Sequence, residues 1–328
     1  LDLEVLRMKG YGLVLGGGGA KGSYEIGVWK ALRELEIPII AVAGTSVGAL
    51  NGAIIVQDDY DKAFDLWTSI SVETVINMNE KISELDSKDK IEEILKLIRT
   101  AIHAGGLDIT PLKHLLNTTV DEEKIRKSKI EFGFVTFSIT DLKPVKIFKE
   151  QVPEGQMVDY LLASASFPAF QPLEIEGKKF IDGGVYDNIP ISLIQEKGIN
   201  DVITVDVSGA GLVKKVKDKD LNLIQIKNSE DLGPILGFSV ERAKRNIEIG
   251  YYDTMKAFGK YKGKYYYFTD IKHDITIDEN DIRLIYRYIG IEWDKRLYPQ
   301  NRFIIYKLIR NLKNYCQDKK LKNTTGVI

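Results

Sequence analysis

Short apolar runs alternate with helix-like stretches over the first 60 residues. Residues 11–15 and 39–43 have the length and apolar character of strands, and a glycine-marked turn follows each of them. A helix with one buried face is predicted after the first turn, because apolar residues recur there at three- and four-residue spacing: Ile26, Trp29, Leu32 and Leu35. A second helix is predicted from Val47 to about Val56. This alternation predicts parallel strands that are covered by helices.

The rest of the chain extends this α/β pattern. From residue 58 to about 117 the apolar positions have a helical but irregular spacing. This spacing predicts a helical insertion, residues 58–117, over one edge of the sheet. Such an insertion could cover a functional site. Two helical patterns come last, at 281–289 and 302–315. We expect a main domain over residues 1–270 and a C-terminal helical extension over 271–328. Six further strand patterns lie between these helical regions: 130–136, 145–148, 173–175, 179–181, 202–207 and 223–226.

Composition narrows the possible functions without choosing one. A net charge of −1 over 328 residues gives no electrostatic case for nucleic acid as a partner. The single cysteine, Cys316, excludes an intrachain disulfide and a cysteine cluster for a metal. The first ten residues lack the apolar core of a secretory signal, and no run approaches the ~18 apolar residues of a membrane span. We therefore expect a cytoplasmic protein, with peripheral membrane contact and signal-peptide-independent secretion left open. The chain starts at Leu1 rather than Met, so an upstream segment is left open as well.

A basic section lies near the C-terminus. Residues 302–322 hold seven Lys or Arg against one acid, Asp318. Such a section could dock on an anionic membrane surface, where each basic residue adds roughly 1 kcal/mol. Charged chain ends are common, however, so we prefer the interpretation of a solvated helix and a frayed tail.

A glycine run, Gly16 to Gly22, follows the first strand and opens the first helix. Such a turn can present bare backbone N–H donors to an anion at a helix start. Gly17, Gly19 and Gly22 also satisfy the dinucleotide fingerprint G-x-G-x-x-G. That fingerprint needs an Asp or Glu at the end of the second strand to hold the ribose, and residues 40–44 supply none. Close packing of helix on sheet is a third explanation, but four consecutive glycines lose much conformational entropy on folding.

The second glycine-marked turn carries a serine. Gly44-Thr45-Ser46-Val47-Gly48 matches G-x-S-x-G, and its place between a strand and a helix is what a nucleophile elbow requires. Serine is also a good helix N-cap, and that role is the alternative for Ser46. The glycine run at a neighbouring strand end favours the nucleophile, because amide donors beside an activated serine suit acyl transfer through a covalent ester. Hydrolysis is the expected outcome.

A nucleophilic serine needs a base, and the chain has three histidines, at positions 103, 114 and 273. His103, His114 and His273 each lie in a helical or polar context that is more typical of a surface or packing residue. His273 would complete the serine, acid, histidine order of α/β-hydrolases. An elbow at the second strand is too early for that fold, so a histidine triad is not favoured.

Asp182 is the better candidate base. It ends a strand-like run and precedes Gly183 and Gly184, so its carboxylate could project from a turn towards a neighbouring strand end. An ordinary aspartate, with a pKa of about 3.9, is a poor base in water. A Ser–Asp dyad therefore predicts a partly dehydrated site or strong oxyanion stabilisation. Asp187 lies five residues later and is the rival carboxylate.

With these residues identified, the chain resembles a bacterial patatin-like phospholipase. The resemblance is specific from residue 13 to 190 and looser to about 268, and segments 163–172 and 188–190 are also similar to the family. It rests on three motifs in the family's order and approximate spacing: Leu15-Gly16-Gly17-Gly18-Gly19-Ala20-Lys21-Gly22, Gly44-Thr45-Ser46-Val47-Gly48 and Asp182-Gly183-Gly184.

The resemblance implies a three-layer α/β/α patatin-like fold with a central, mostly parallel sheet. It implies that Ser46 is the nucleophile, that Asp182 is its dyad partner, and that the amides of Gly17, Gly18 and Gly19 are the oxyanion donors. The supporting positions are Lys21, Gly22, Gly44, Gly48, Gly183 and Gly184. Where many members carry arginine, Lys21 keeps the charge but loses the planar fork.

The resemblance also implies lipid acyl hydrolase activity on phospholipids, lysophospholipids or related esters, with no metal or cofactor. Phe167, Phe170 and the apolar residues of the insertion are candidate acyl-chain contacts, with ordinary core as their default role. A non-catalytic lipid-binding or regulatory protein on the same fold is the alternative function. A dinucleotide-binding oxidoreductase is a remote one.

Overall fold

A computed structural model of the chain describes residues 10–77, 106–214 and 220–262. All of the helices and strands named below lie in one compact unit, Leu1–Ala257. The helical patterns at 281–289 and 302–315 and the basic section lie outside the described residues. His103, His273 and the region around residue 270 lie outside them too, so the domain limits stay a prediction.

Strands and helices alternate along the described chain as the apolar pattern predicts. Each of the eight predicted strands is present, with its ends shifted by no more than two residues. The first half contains β1 (Tyr11–Leu15), α1 (Ser23–Glu34), β2 (Ile39–Thr45), α2 (Val47–Val56), α3 (Tyr60–Ser69), α4 (Thr110–Thr119) and α5 (Glu122–Lys127). The second half contains β3 (Glu131–Ser138), β4 (Lys143–Phe148), α6 (Met157–Ser164), β5 (Leu173–Ile175), β6 (Lys178–Asp182), α7 (Ile191–Glu196), β7 (Asp201–Asp206), β8 (Asn222–Lys227) and α8 (Val240–Ala257).

The strands form one mixed sheet. Their order is β5-β6-β3-β2-β1-β7-β8, and β4 pairs with β3 outside this path. The five strands from β3 to β8 in this order run parallel to their neighbours. Strands β4, β5 and β6 pair antiparallel. The expected parallel centre is therefore present, and the hairpin strands add an antiparallel edge to it.

Helices cover both faces of this sheet. Successive side chains of a strand point to opposite faces, so Ala41 and Ala43 of β2 face one side and Val42 faces the other. Ala41 and Ala43 belong to a buried cluster that includes Ile194 of α7, whereas Val42 lies beside Gly52 of α2. The expected three-layer α/β/α architecture is therefore confirmed.

The central strands are apolar along their length because both of their faces are covered. Leu13, Val14 and Leu15 of β1 are fully buried, whereas a strand with one face in water would alternate apolar and polar residues. The buried sheet fixes the carboxyl ends of β1 and β2, from which the glycine run and the serine turn emerge.

The predicted insertion is helical where the structure describes it. Helix α3 lies within residues 58–117, and α4 begins within this range and ends two residues after it. Residues 78–105 lie outside the described part of the chain. Over the described ranges, the helices lack the combination of length and apolar character that a membrane span requires.

Candidate active site

Strand β3 brings the predicted serine and aspartate together. Val135 of β3 pairs with Thr45, the last residue of β2, and Thr136 pairs with Asp182, the last residue of β6. Strand β4 pairs with both Val135 and Thr136, so it occupies one edge of β3 and leaves the other edge to β2 and β6 in succession. Ser46, which follows β2, therefore lies next to Asp182. Its hydroxyl donates a hydrogen bond to the Asp182 carboxylate.

Ser46 lies at a strained turn between β2 and α2. Its φ of 57° and ψ of −130° are unusual for a residue other than glycine. The turn is tight on both sides, because a Cβ atom on Gly44 would lie 2.3 Å from the Gly48 carbonyl oxygen, and one on Gly48 would lie 2.4 Å from the Leu15 carbonyl oxygen. The two glycines of G-x-S-x-G are thus required by contacts between backbones.

The alternative role for Ser46 is a helix N-cap, and its backbone has this role whereas its side chain does not. Ser46 occupies the N-cap position of α2, and its carbonyl accepts the amides of Ala49 at 2.9 Å and Leu50 at 3.2 Å. Its side chain makes no capping hydrogen bond. The hydroxyl is directed to Asp182 instead, and it is therefore available for chemistry.

Ser164, at the end of α6, holds the backbone of the serine turn. The amide of Ser46 donates to Ser164 Oγ at 3.1 Å, and the Ser164 hydroxyl donates to the Val135 carbonyl at 2.6 Å. Ser164 is fully buried. Sequence reasoning assigned no role to this residue, although it lies in one of the segments that resemble the family, because its partner is 118 residues away.

The environment of Asp182 makes it a better base than an ordinary aspartate. It is 5% exposed, and burial raises the pKa of Asp182 to about 6, while hydrogen bonds from Ser46 and the Gly184 amide lower it. The Gly184 amide donates to Asp182 Oδ1 at 2.7 Å. Gly183 begins the 3-10 turn that carries this amide, Gly183–Val185. The carboxylate is thus ionised at neutral pH, poorly hydrated and aimed at a hydroxyl.

The rival carboxylate, Asp187, is used differently. Burial raises the pKa of Asp187, and its carboxylate accepts hydrogen bonds from the amides of Lys214 and Ile189, which lower it. Its carbonyl accepts a hydrogen bond from the Thr45 hydroxyl at 2.9 Å. These contacts tie Asp187 to the backbone around the site, whereas Asp182 is bonded to Ser46.

The glycine run passes directly beside Ser46. A Cβ atom on Gly17 would lie 3.0 Å from Ser46 Cβ. The amide of Gly17 already donates to the Asn188 carbonyl at 3.2 Å. Gly18 is the N-cap of a 3-10 turn that begins at Gly19, and amides at these two positions have no carbonyl partner within the turn. Of the three expected oxyanion donors, Gly17 therefore has an amide that is already bonded to a carbonyl, whereas the amides of Gly18 and Gly19 point out of the start of the turn without such a bond.

Two side chains hold the glycine run in place. Asn188 is buried, and its side-chain amide donates to the Gly17 carbonyl at 3.1 Å. The Lys21 ammonium donates to the Ser208 carbonyl at 2.7 Å, on the loop after β7. Sequence reasoning named Lys21 as a supporting residue but gave Asn188 no role of its own.

A buried polar network joins helices α1, α2 and α3 next to the glycine run. Asn51 of α2 donates to the Gly22 carbonyl at 2.9 Å and to the Glu25 carboxyl group at 2.7 Å, and it accepts from the Trp67 indole at 2.9 Å. Glu25 is fully buried. Burial raises the pKa of Glu25 to about 8, although the hydrogen bond from Asn51 lowers it, so this group is mostly neutral at pH 7.

An apolar cavity of about 270 Å³ opens onto Ser46 and Asp182. Helices α3 and α4 of the insertion form part of its wall, together with the segments that follow α6 and β8. The cavity is thus suited to a hydrocarbon chain whose end reaches the serine. Its apolar lining residues include Leu66, Trp67, Leu112, Leu115, Leu116, Phe167, Phe170, Ile235, Leu236 and Phe238.

His114 is the one of the three histidines that falls in the described residues, and its side chain is exposed on α4. Leu112 and Leu116 of the same helix are buried in the cavity wall. Over the residues that the structure describes, no group of three or more His, Cys, Asp or Glu side chains is placed to hold a metal ion. Strand β2 also leads into Ser46 rather than into the acid that a dinucleotide site needs.

A family model described as "Patatin-like phospholipase" matches residues 13–194 of this chain. The matched range contains the glycine run, Ser46 and Asp182. It covers more than half of the chain and ends shortly after the loop that follows β6.

Curated relatives and a solved structure resemble the chain over larger parts. Lysophospholipase NTE1 of Candida glabrata is 26% identical over 301 residues, which cover 89% of this chain and 16% of that protein. Patatin-like phospholipase domain-containing protein 7 of Rattus norvegicus is 26% identical over 210 residues, or 62% of this chain and 14% of that protein. This chain therefore spans 16% or less of the length of these two relatives. The crystal structure of VipD from Legionella pneumophila matches with a TM-score of 0.50 at 15% identity, over 76% of this chain and 67% of that one, and shows a similar fold.

Proposed function

Because the chain belongs to the patatin-like phospholipase family, we propose that it is a serine hydrolase that cleaves carboxylic ester bonds of lipids. One observation carries the proposal. The Ser46 hydroxyl donates a hydrogen bond to Asp182, a buried carboxylate, at the end of an apolar cavity. A nucleophile, a base and a place for an acyl chain are thus adjacent.

The catalytic cycle follows from these positions. Asp182 accepts the proton of Ser46 as the hydroxyl oxygen attacks the ester carbonyl carbon, and the resulting oxyanion binds the amides of Gly18 and Gly19. Collapse of this intermediate expels the alcohol, which takes the proton from Asp182, and leaves an acyl ester on Ser46. Water then attacks the acyl ester and gives its proton to Asp182. When the carboxylic acid departs, that proton returns to Ser46.

Two features of the site supply the rate. A base with a pKa of about 6 stays ionised at neutral pH, and it accepts a proton more readily than an aspartate in water, because proton transfer is most effective when the pKa lies near the working pH. The amides of Gly18 and Gly19 stabilise the negative charge of the oxyanion. Removal of one such donor typically slows a reaction by about 10²–10³.

The substrate class follows from the cavity. Its wall of leucine and aromatic side chains accepts an acyl chain, and the carbonyl group then reaches Ser46 at its polar end. We propose phospholipids, lysophospholipids or related lipid esters as substrates. A lysophospholipase activity is named for the relative from Candida glabrata.

We also propose that the chain is a bacterial member of the family. Its catalytic domain spans residues 1–270 and contains a helical insertion at 58–117, and a helical extension follows over 271–328. A cytoplasmic location with peripheral membrane contact suits a substrate that resides in a bilayer. Limited proteolysis of the whole chain tests the domain limits, since cleavage near residue 270 should leave an active fragment.

A fluorophosphonate probe and short-chain nitrophenyl esters test the hydrolase. Wild type should be labelled and should turn over the esters, whereas Ser46→Ala and Asp182→Asn should lose both properties. His114→Ala and His273→Ala are the controls and should behave as wild type. Equal turnover in all variants, or lipid binding without any turnover in wild type, would contradict the dyad; the second result would favour a non-catalytic lipid-binding protein.

A further inference from the structure

An exposed apolar patch lies at the rim of the cavity. Leu212 and Val213, on the loop after β7, are 64% and 55% exposed, and Val185, on the turn after β6, is 38% exposed. Val185 lines the cavity together with Ser46 and Asp182. Within the described residues, these three side chains, termed the rim patch, are half of the large apolar side chains that are exposed. The rim patch is therefore a group of exposed apolar side chains beside the cavity, whereas the other three, Phe64, Leu142 and Leu223, lie on separate segments.

Backbone hydrogen bonds hold the rim patch in position. The Leu212 amide donates to the Gly184 carbonyl at 2.9 Å, and the Asn188 amide donates to the Leu212 carbonyl at 2.6 Å. The amide of Lys214 donates to the Asp187 carboxylate. The loop is thus fastened to the segment that follows β6. Its apolar side chains project into solvent from a fixed backbone, so their exposure does not come from a frayed end.

The cavity reaches the surface beside the rim patch. Ala210 and Gly211 line the cavity and are themselves exposed. They precede Leu212 directly in the loop. An acyl chain that enters from this side passes the rim patch before it reaches Ser46.

Two lysines contact the segments that carry the rim patch. The Lys214 side chain is exposed, and its ammonium group lies 3.0 Å from the centre of the Tyr186 ring. The Lys21 ammonium is bonded to Ser208 of the same loop. Cations beside exposed apolar side chains match an anionic lipid surface, where apolar groups enter the acyl region and ammonium groups stay among the headgroups.

We propose that the rim patch, with Lys21 and Lys214, is the surface by which this protein docks on an anionic lipid bilayer. The proposal rests on the proposed function, because a lipid ester hydrolase takes its substrate from a bilayer. A stable protein interface buries about 800 Å² on each partner, which three side chains do not supply. A lipid surface binds through the summed burial of a few apolar side chains and attraction to anionic headgroups.

Vesicle sedimentation with the full chain tests this surface. The vesicles consist of phosphatidylcholine alone or of phosphatidylcholine mixed with phosphatidylglycerol. Wild type should bind the mixed vesicles more tightly. The double variant Leu212→Ser/Val213→Ser should partition about 30-fold more weakly on them, since both side chains lose their apolar burial. Lys214→Ala should weaken binding about fivefold on the mixed vesicles and leave binding to pure phosphatidylcholine unchanged.

Leu223→Ser is the matched control. Leu223 is 44% exposed and pairs with Val202 near the start of β7, at the end of the sheet opposite to Ser46. This variant should bind vesicles as wild type does. Thermal unfolding and turnover of a soluble nitrophenyl ester check the fold of the double variant, and both should match wild type.

If the double variant fails to fold, a fluorescence measurement on single-cysteine variants tests the docking surface instead. An environment-sensitive dye on Leu212→Cys, in a Cys316→Ser background, should shift to the blue on mixed vesicles, whereas the dye on Leu223→Cys should not. Equal sedimentation of wild type and the double variant, or no binding by wild type, overturns the docking surface. Normal docking by a wild type that turns over no ester supports the docking surface and overturns the proposed hydrolase instead.

Discussion

Protonation of Asp182 should control the rate of ester hydrolysis. Burial raises the pKa of Asp182 to about 6, although Ser46 and the Gly184 amide donate hydrogen bonds that lower it. Since only the ionised carboxylate can accept the Ser46 proton, kcat/KM should be constant well above pH 6 and fall with unit slope below it. The loss should be about tenfold at pH 5 and about hundredfold at pH 4.

The same pKa should have the opposite effect on stability. The folded pKa of Asp182, about 6, lies above its ordinary value of 3.8, so the folded protein binds this proton more tightly than the unfolded chain. As the pH rises from 3.8 to about 6, Asp182 ionises in the unfolded chain while it stays protonated in the folded protein, and this difference lowers the free energy of unfolding. Above about pH 6 the loss of stability is complete. At about 1.4 kcal/mol per pH unit, it amounts to about 3 kcal/mol.

The variant Asp182→Asn separates the two effects because it carries no charge at any pH. Its kcat/KM should fall by about 10²–10⁴, while its free energy of unfolding at pH 7.5 should exceed that of wild type by up to about 3 kcal/mol. Below pH 4 the two proteins should unfold with similar free energies. Initial rates with a nitrophenyl ester and urea unfolding at both pH values measure these quantities.

Ser46→Ala is the matched control for this experiment. It should be inactive, yet it should keep or increase the pH dependence of stability, because it removes a hydrogen bond that lowers the pKa of Asp182. The reasoning is refuted if the rate stays flat down to pH 4.5. It is equally refuted if the stability difference between Asp182→Asn and wild type is the same at both pH values.

Four further substitutions probe the surroundings of the site. Ser164→Ala should lower kcat about tenfold and stability by about 1–3 kcal/mol, because it leaves the Ser46 amide without its acceptor; ester kinetics and urea unfolding would show both losses, and an unchanged kcat would contradict the role. Gly48→Ala should destabilise by about 3 kcal/mol, since its Cβ would lie 2.4 Å from a backbone oxygen that cannot move away; a wild-type unfolding midpoint would rule this out. Leu115→Trp should lower turnover of long-chain nitrophenyl esters more than tenfold and spare the butyrate, because it fills the cavity; equal losses for both esters would argue against an acyl site. Glu25→Gln should stabilise by about 3 kcal/mol at pH 7 and hardly at pH 4, because at pH 7 the wild-type Glu25, whose folded pKa is about 8, ionises in the unfolded chain but not in the folded protein, and glutamine ionises in neither; a gain independent of pH would disprove the shift.

Local features of the fold could be predicted well from the sequence. The strands follow from short apolar runs, and the two glycine-marked turns follow from residues that only a tight backbone needs. Helices α5 and α7 were not predicted because each has only six residues, which is too short for a helical period to stand out. Helix α6 and helix α8 likewise carried no prediction.

The supporting residues of the site could not be predicted in the same way. Ser164 and Asn188 act on Ser46 and Gly17 through hydrogen bonds that span 118 and 171 residues. No pattern of neighbouring residues contains such a contact. The family resemblance covered both segments but assigned no role to either side chain.

By itself, the sequence determined the conformations that depend on near neighbours, namely the buried parallel strands, the glycine run and the turn that exposes Ser46. Steric limits on the backbone and the period of apolar side chains set these features within a few residues. The sequence favoured Asp182 over Asp187, which lies five residues later, but only the tertiary structure places Asp182 beside Ser46. That placement depends on β2 and β6 sharing one edge of β3, and strand order arises from burial across the whole sheet, to which distant parts of the chain contribute together.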